Sequence, residues 1–106
     1  MKAVKKVELI IPTSVARGRL VEVLDNLNIE GYSMIQDVTG KGVNGMIYGD
    51  LTVDVNKSTY ILIATEEERI EEITNAFRPI INRYGGMCLV SSAQMIMRNE
   101  SDLPKK

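Results

Sequence analysis

The apolar residues of this chain recur with a period that alternates between two and about 3.6. The order of those alternations restricts the fold more than any other feature. Val7 to Ile11 form a short β-branched run ended by Pro12, which reads as a strand. Thr13 or Ser14 is placed to cap a following helix. In that helix Ala16, Leu20, Val23, Leu24 and Leu27 keep helical spacing, and Arg17, Arg19, Glu22 and Asp25 take the other side. Asn28 and Gly31 bracket its end. Tyr32 to Val38 reads as a second strand, a glycine-rich loop runs from Thr39 to about Lys57, and Ser58 to Thr65 is a third strand. Thr65 with Glu68 fits a capping box, after which Ile70, Ile73, Phe77, Ile80, Ile81 and Tyr84 return to helical period. Pro79 predicts a kink or break near Arg78. Gly85-Gly86 stops the helix, and a last strand covers about Met87 to Met97.

The resulting order, β-α-β-β-α-β, predicts an α+β fold of the ferredoxin-like kind, with an antiparallel sheet covered on one face by two helices. A monomer with the other face in water should place polar residues at alternate strand positions. Tyr60-Ile61-Leu62-Ile63-Ala64 does not, and Cys88-Leu89-Val90 is apolar on both faces. Self-association is therefore expected to cover the second face.

The chain of 106 residues has the length of one domain, taken as 1–106 with a flexible tail from about 99. Its 13 basic and 14 acidic side chains leave a net charge of -1, so no nucleic acid is expected as a partner. The lysines at positions 2, 5, 6, 105 and 106 cluster near the two ends of the sequence, as solvated segments do. A single cysteine, Cys88, suits a reducing compartment and a structural thiol. No apolar stretch has the length of a membrane span, and no signal peptide is apparent. The expectation is a cytoplasmic protein. With no histidine and one cysteine, the sequence supplies neither a triad nor a transition-metal set. No catalytic residues, metal ligands or cofactor are assigned, and an enzyme is not expected.

Three segments stand out. Thr39-Gly40-Lys41-Gly42 follows the second strand directly. Its glycines allow close backbone approach to an anion and its lysine adds positive charge, although the spacing is not that of a Walker loop. The plainer reading is a flexible start to the loop. Tyr84-Gly85-Gly86 either ends a helix or contributes backbone N–H groups to the same anion. Between them, positions 43–57 far exceed the length of an ordinary hairpin connection. Met46, Ile47, Tyr48 and Leu51, interleaved with Asp50 and glycines, suit docking onto a partner. An elongated hairpin packed on its own assembly is the alternative.

Gly31-Tyr32-Ser33-Met34-Ile35 followed by Val38-Thr39-Gly40-Lys41-Gly42 resembles the segment leading into the long loop of PII signalling proteins. The chain is most similar to the PII-like branch linked to bicarbonate transport and carboxysomes. There the matching stretches are Gly40-Lys41-Gly42, Thr65 to Ile73, and Tyr84-Gly85-Gly86 running into Val90-Ser91-Ser92-Ala93-Gln94.

The resemblance implies a homotrimer of ferredoxin-like subunits with an adenine nucleotide in each inter-subunit cleft. Gly31, Tyr32 and Ser33 would meet base and ribose. Thr39, Gly40, Lys41 and Gly42, with Gly85, Gly86 and Met87, would meet phosphates and ribose. Arg98 matches a basic position that reaches phosphates, or is a solvated arginine. Only Gly85-Gly86 remains of the family's longer phosphate loop, which favours ADP, AMP or cyclic AMP over ATP. A glutamine for magnesium and 2-oxoglutarate has no counterpart, and the flanks of Tyr48 do not match a uridylylation motif. The implied role is regulation of a membrane transporter, such as one for bicarbonate, or of a carbon-metabolism protein, with bicarbonate as a second ligand. The alternative is a trimer of the same fold without nucleotide, either an amino-acid-binding regulator or a metal-tolerance module.

Overall fold

The computed structural model describes residues 1–29, 31–40 and 57–98. Strand β1 (Lys2–Pro12) is followed by helix α1 (Arg17–Asn26), strands β2 (Tyr32–Thr39) and β3 (Lys57–Thr65), helix α2 (Ile70–Tyr84) and strand β4 (Met87–Met95). The four strands form one sheet in the order β2-β3-β1-β4, every pair antiparallel. This is the ferredoxin-like arrangement anticipated from periodicity.

One face carries the core. Val7, Leu9 and Ile11 of β1 oppose Ile63, Ile61 and Thr59 of β3, and all are buried. Helix α1 lays Leu20 and Leu24 on this face, and α2 adds Ile73, Phe77 and Ile80. Burying each such side chain contributes about 1.5–3 kcal/mol. The alternate residues, Ile10, Tyr60, Leu62, Met87 and Leu89, share the other face by register. Leu89 there is 52% exposed, and Ile35 on β2 is 56% exposed.

Local details depart from expectation where a distant partner competes. Neither Thr13 nor Ser14 caps α1, because the Thr13 hydroxyl and N–H both donate to the carbonyl of Lys57 across the sheet, at 3.3 and 3.1 Å. The N-cap is instead Ala16, which has no side-chain cap and lies exposed, while Val15 is buried in its place. The Thr65–Glu68 capping box does not form. Thr65 stays in the ladder opposite Lys5, and a 3-10 turn at Glu67–Arg69 leads into α2. Pro79 does not break the helix, which is continuous from Ile70 to Tyr84. Both Pro79 and Asn75, whose carbonyl loses its donor, are exposed, so water can replace the missing bond.

The strands are also longer at one end and shorter at the other than periodicity implied: β1 begins at Lys2, and β4 ends at Met95. On the edge strand β2, register shifts between Ile35 and Val38, and Asp37 takes φ 61°. Such a bulge bends the strand just before Gly40.

Candidate functional site

The residues singled out from sequence fall at two opposite ends of the sheet. At one end, the C-terminus of β1, Pro12 pairs with Ser58 and Ile10 with Met87, while Thr39 pairs with Lys57. Thr39, Gly40, Gly85, Gly86 and Met87 therefore lie at a common end. They are on its two edges, about 14 Å apart across three inter-strand spacings. At the other end, Lys2 pairs with Met95 and Tyr32 with Ile63. Gly31, Tyr32 and Ser33 sit there, and Arg98 follows Met95 by three residues and is exposed. Lys41, Gly42, Met46, Ile47, Tyr48, Asp50 and Leu51 lie outside the described residues, as does most of the 43–57 loop and the tail from 99.

A groove of about 710 Å³ occupies the Lys2/Tyr32 end. Its floor comes from residues on the uncovered face, Val4, Ser33, Leu62 and Ala64, and its rim from Asn28, Gly31, Tyr32, Glu66 and Arg69. It thus joins three residues selected from sequence to others that were not. Apolar side chains such as Val4, Ile29 and Leu62 alternate in the lining with Lys2, Ser33, Glu66 and Arg69, a mixture that suits a flat heterocycle attached to a polar group. Gly31 has nothing within 4 Å of the place a Cβ would occupy. Packing within the protomer does not demand glycine at this position.

The opposite end is tight. Gly85 and Gly86 have φ values of 89° and 104°, and the Gly85 N–H donates to the carbonyl of Ile81 at 2.9 Å. A Cβ on Gly86 would stand 2.3 Å from the carbonyl oxygen of Ile10 and 3.2 Å from Cδ of Pro12. The glycine pair ends α2 and lets β4 start flush against β1, so its first role is in the fold.

On the uncovered face the Tyr60 hydroxyl donates to a carboxylate oxygen of Glu8 at 2.7 Å, and Lys6 Nζ lies 3.5 Å from the other oxygen. The hydrogen bond, reinforced by Lys6, holds the Glu8 carboxyl below its ordinary range. The same bond raises the Tyr60 hydroxyl. Cys88 is half-buried on the helix-covered face, where burial raises its thiol and Arg78 offsets part of that effect. Such a thiol is protonated and a poor nucleophile at neutral pH. Among the described residues no group of three or more His, Cys, Asp or Glu converges on a point. No helix among them is long and apolar enough to cross a membrane.

Sequence reasoning missed Lys2, Asn28, the 62–66 segment and Arg69. Arg69 reads as an ordinary helix-surface partner of Glu72. A hint of another role lies far away in sequence, in the last turn of α1, which holds no basic residue.

Comparison with known proteins gives a consistent outcome. The model of the family described as nitrogen regulatory protein P-II matches residues 4–100. No curated protein sequence matches. Among solved structures, CPII from Thiomonas intermedia K12, a nitrogen regulatory PII-like protein bound to ADP, AMP and bicarbonate, is 26% identical. It matches over 88% of both chains with a TM-score of 0.68. A structure of the same protein with ADP, AMP and acetate matches over 91% of both chains at 23% identity, with a TM-score of 0.70. The GlnK–ATP complex of B. subtilis shares the fold at 15% identity and a TM-score of 0.61, covering 87% of this chain and 84% of that one.

Proposed function

The chain belongs to the P-II family, and from that premise we propose that it is a trimeric regulator that binds an adenine nucleotide between subunits. The observation that carries this reading is the separation of the two half-sites. Tyr32 and Thr39 begin and end β2 and pair with Ile63 and Lys57 of β3, which puts about 20 Å between the groove and the glycine end at roughly 3.4 Å per residue. One nucleotide cannot bridge that length within a protomer. It can do so if the groove of one subunit faces the glycine end of the next.

The uncovered face supports such an arrangement, since Ile10, Leu62 and Leu89 lie on it around the Tyr60–Glu8–Lys6 cluster, and Leu62 also lines the groove. Burying that surface in a closed ring leaves no apolar face in water. The ring that the family resemblance implies is a trimer.

In this reading base and ribose lie at Gly31, Tyr32 and Ser33, and phosphates and ribose at Thr39, Gly40, Lys41, Gly42, Gly85, Gly86 and Met87. Arg98 belongs by position to the groove half. It reaches the phosphates of a nucleotide held across the interface. The structures of CPII with ADP and AMP support a short phosphate chain over ATP, and cyclic AMP belongs to the same class. Bicarbonate, present with ADP and AMP in one of them, is the proposed second ligand.

The protein acts by binding rather than catalysis. Nucleotide alters the 43–57 loop only by its differential affinity for two loop states. Met46, Ile47, Tyr48, Asp50 and Leu51 then engage a transporter or a carbon-metabolism protein. Calorimetry with ATP, ADP, AMP and cyclic AMP, with light scattering on the same sample, tests this reading. The expected result is one nucleotide per subunit on a trimer, weakened by Lys41→Ala. A monomer, or a trimer that binds none of the four, contradicts it.

A further inference from the structure

The C-terminus of α1 is closed by a Schellman arrangement. Asn28 takes φ 56°, its N–H donates to Asp25, and the N–H of Ile29 donates to Leu24. That pattern leaves the carbonyls of Leu27 and Asn28 without a partner from their own helix. Both accept from one side chain 42 and 41 residues away: the Arg69 guanidinium donates to Leu27, and to Asn28 at 3.5 Å. Its third edge is fixed on the first turn of α2, where Nε donates to Glu72 at 2.6 Å.

The last turn of α1 contains no basic residue. Arg69 therefore supplies from the turn before α2 the positive charge that a helix C-terminus favours. A planar fork is needed for this, because two carbonyls and a carboxylate are engaged in different directions at once. The capped turn precedes the Gly31-Tyr32-Ser33 segment in sequence, and Arg69, Asn28, Ile29 and those three residues line the same groove.

The geometry points to Arg69 as a positioning residue for the base half of the ligand site. It holds the α1–β2 turn, and the turn in turn presents Gly31, Tyr32 and Ser33 to the groove. This inference rests on the proposed nucleotide reading and adds to it a division of labour. Arg69 acts on the base and ribose through the backbone, and Lys41 acts on the phosphates by charge.

The test compares adenosine, AMP and ADP binding to wild type, Arg69→Met and Arg69→Lys by calorimetry, with thermal melts confirming that each variant is folded. Arg69→Met should weaken all three ligands alike, by about tenfold. Arg69→Lys keeps the charge without the fork and should recover only part of that loss. In the ligand-free Arg69→Met protein, the amide signals of Gly31, Tyr32 and Ser33 should shift while those of Gly85 and Gly86 stay in place. If Arg69→Met does not fold, Arg69→Lys carries the same comparison. Unchanged affinity in a folded variant overturns the assignment. So does a loss that grows from adenosine to ADP, which would place the guanidinium on a phosphate. If wild type binds none of the three ligands, the nucleotide reading itself fails and this assignment falls with it.

Discussion

Gly31 and Gly86 belong to the two halves of one proposed site, and the fold treats them in opposite ways. Gly86 is wedged against the backbone of Ile10 at positive φ, so a side chain there has no room. Gly31 stands in open space at the rim of the groove. The same residue type thus answers to the fold at one end of the sheet and is available to a ligand at the other. A glycine in a motif is not by itself a mark of binding; the space around its missing Cβ separates the two cases.

The sharpest way to break this comparison is Gly86→Ala. The clash with a backbone carbonyl and the left-handed φ should destabilise the protein by on the order of 3 kcal/mol or more. A melting temperature within a degree or two of wild type would show that the β4 junction can give way. Gly31→Ala should do the reverse. Its effect on stability should stay within about 0.5 kcal/mol, while affinity for AMP and ADP falls about tenfold as the methyl enters the groove. A stable variant with full affinity would remove Gly31 from the site.

A smaller effect is expected on the uncovered face. Tyr60→Phe deletes the bond that holds the Glu8 carboxyl low, so that carboxyl should titrate closer to its ordinary range when followed by NMR. The depressed value means that the folded state binds fewer protons here. This contribution is present above the unfolded pKa of Glu8 and is lost as pH falls through the folded one. Acid sensitivity of the folded state should therefore lessen in the variant. An unmoved Glu8 titration would mean that Lys6 alone maintains it.

Element order and the buried faces were legible in the sequence because they depend on periodicity. Leu20, Leu24, Ile73, Phe77 and Ile80 announce themselves by spacing and are buried as expected. Helix starts were not legible. Thr13 looks like a cap, but its hydroxyl is taken by Lys57, forty-four positions away. Thr65 looks like one too, but the ladder with β1 claims it. The site shows the same division. Gly31, Tyr32 and Ser33 could be singled out, whereas Leu62 and Lys2 join them only because β3 pairs with β2 and β1 lies on the far side of β3, and Arg69 only because the turn before α2 reaches back to the end of α1. No local signal in Arg69-Ile70-Glu71-Glu72 reveals that its first residue closes another helix.

The central claim, that each site is built from two subunits, is tested most directly by mixing two defective proteins. Gly31→Trp fills the groove half, and Lys41→Ala weakens the phosphate half. Each alone should bind ADP poorly. Unfolded and refolded together in equal amounts, they should form mixed trimers in which about one site in four pairs an intact groove with an intact phosphate end. Recovery of that fraction of wild-type ADP sites is the predicted result. No recovery in trimers verified as mixed would contradict the account and place each site within a single subunit.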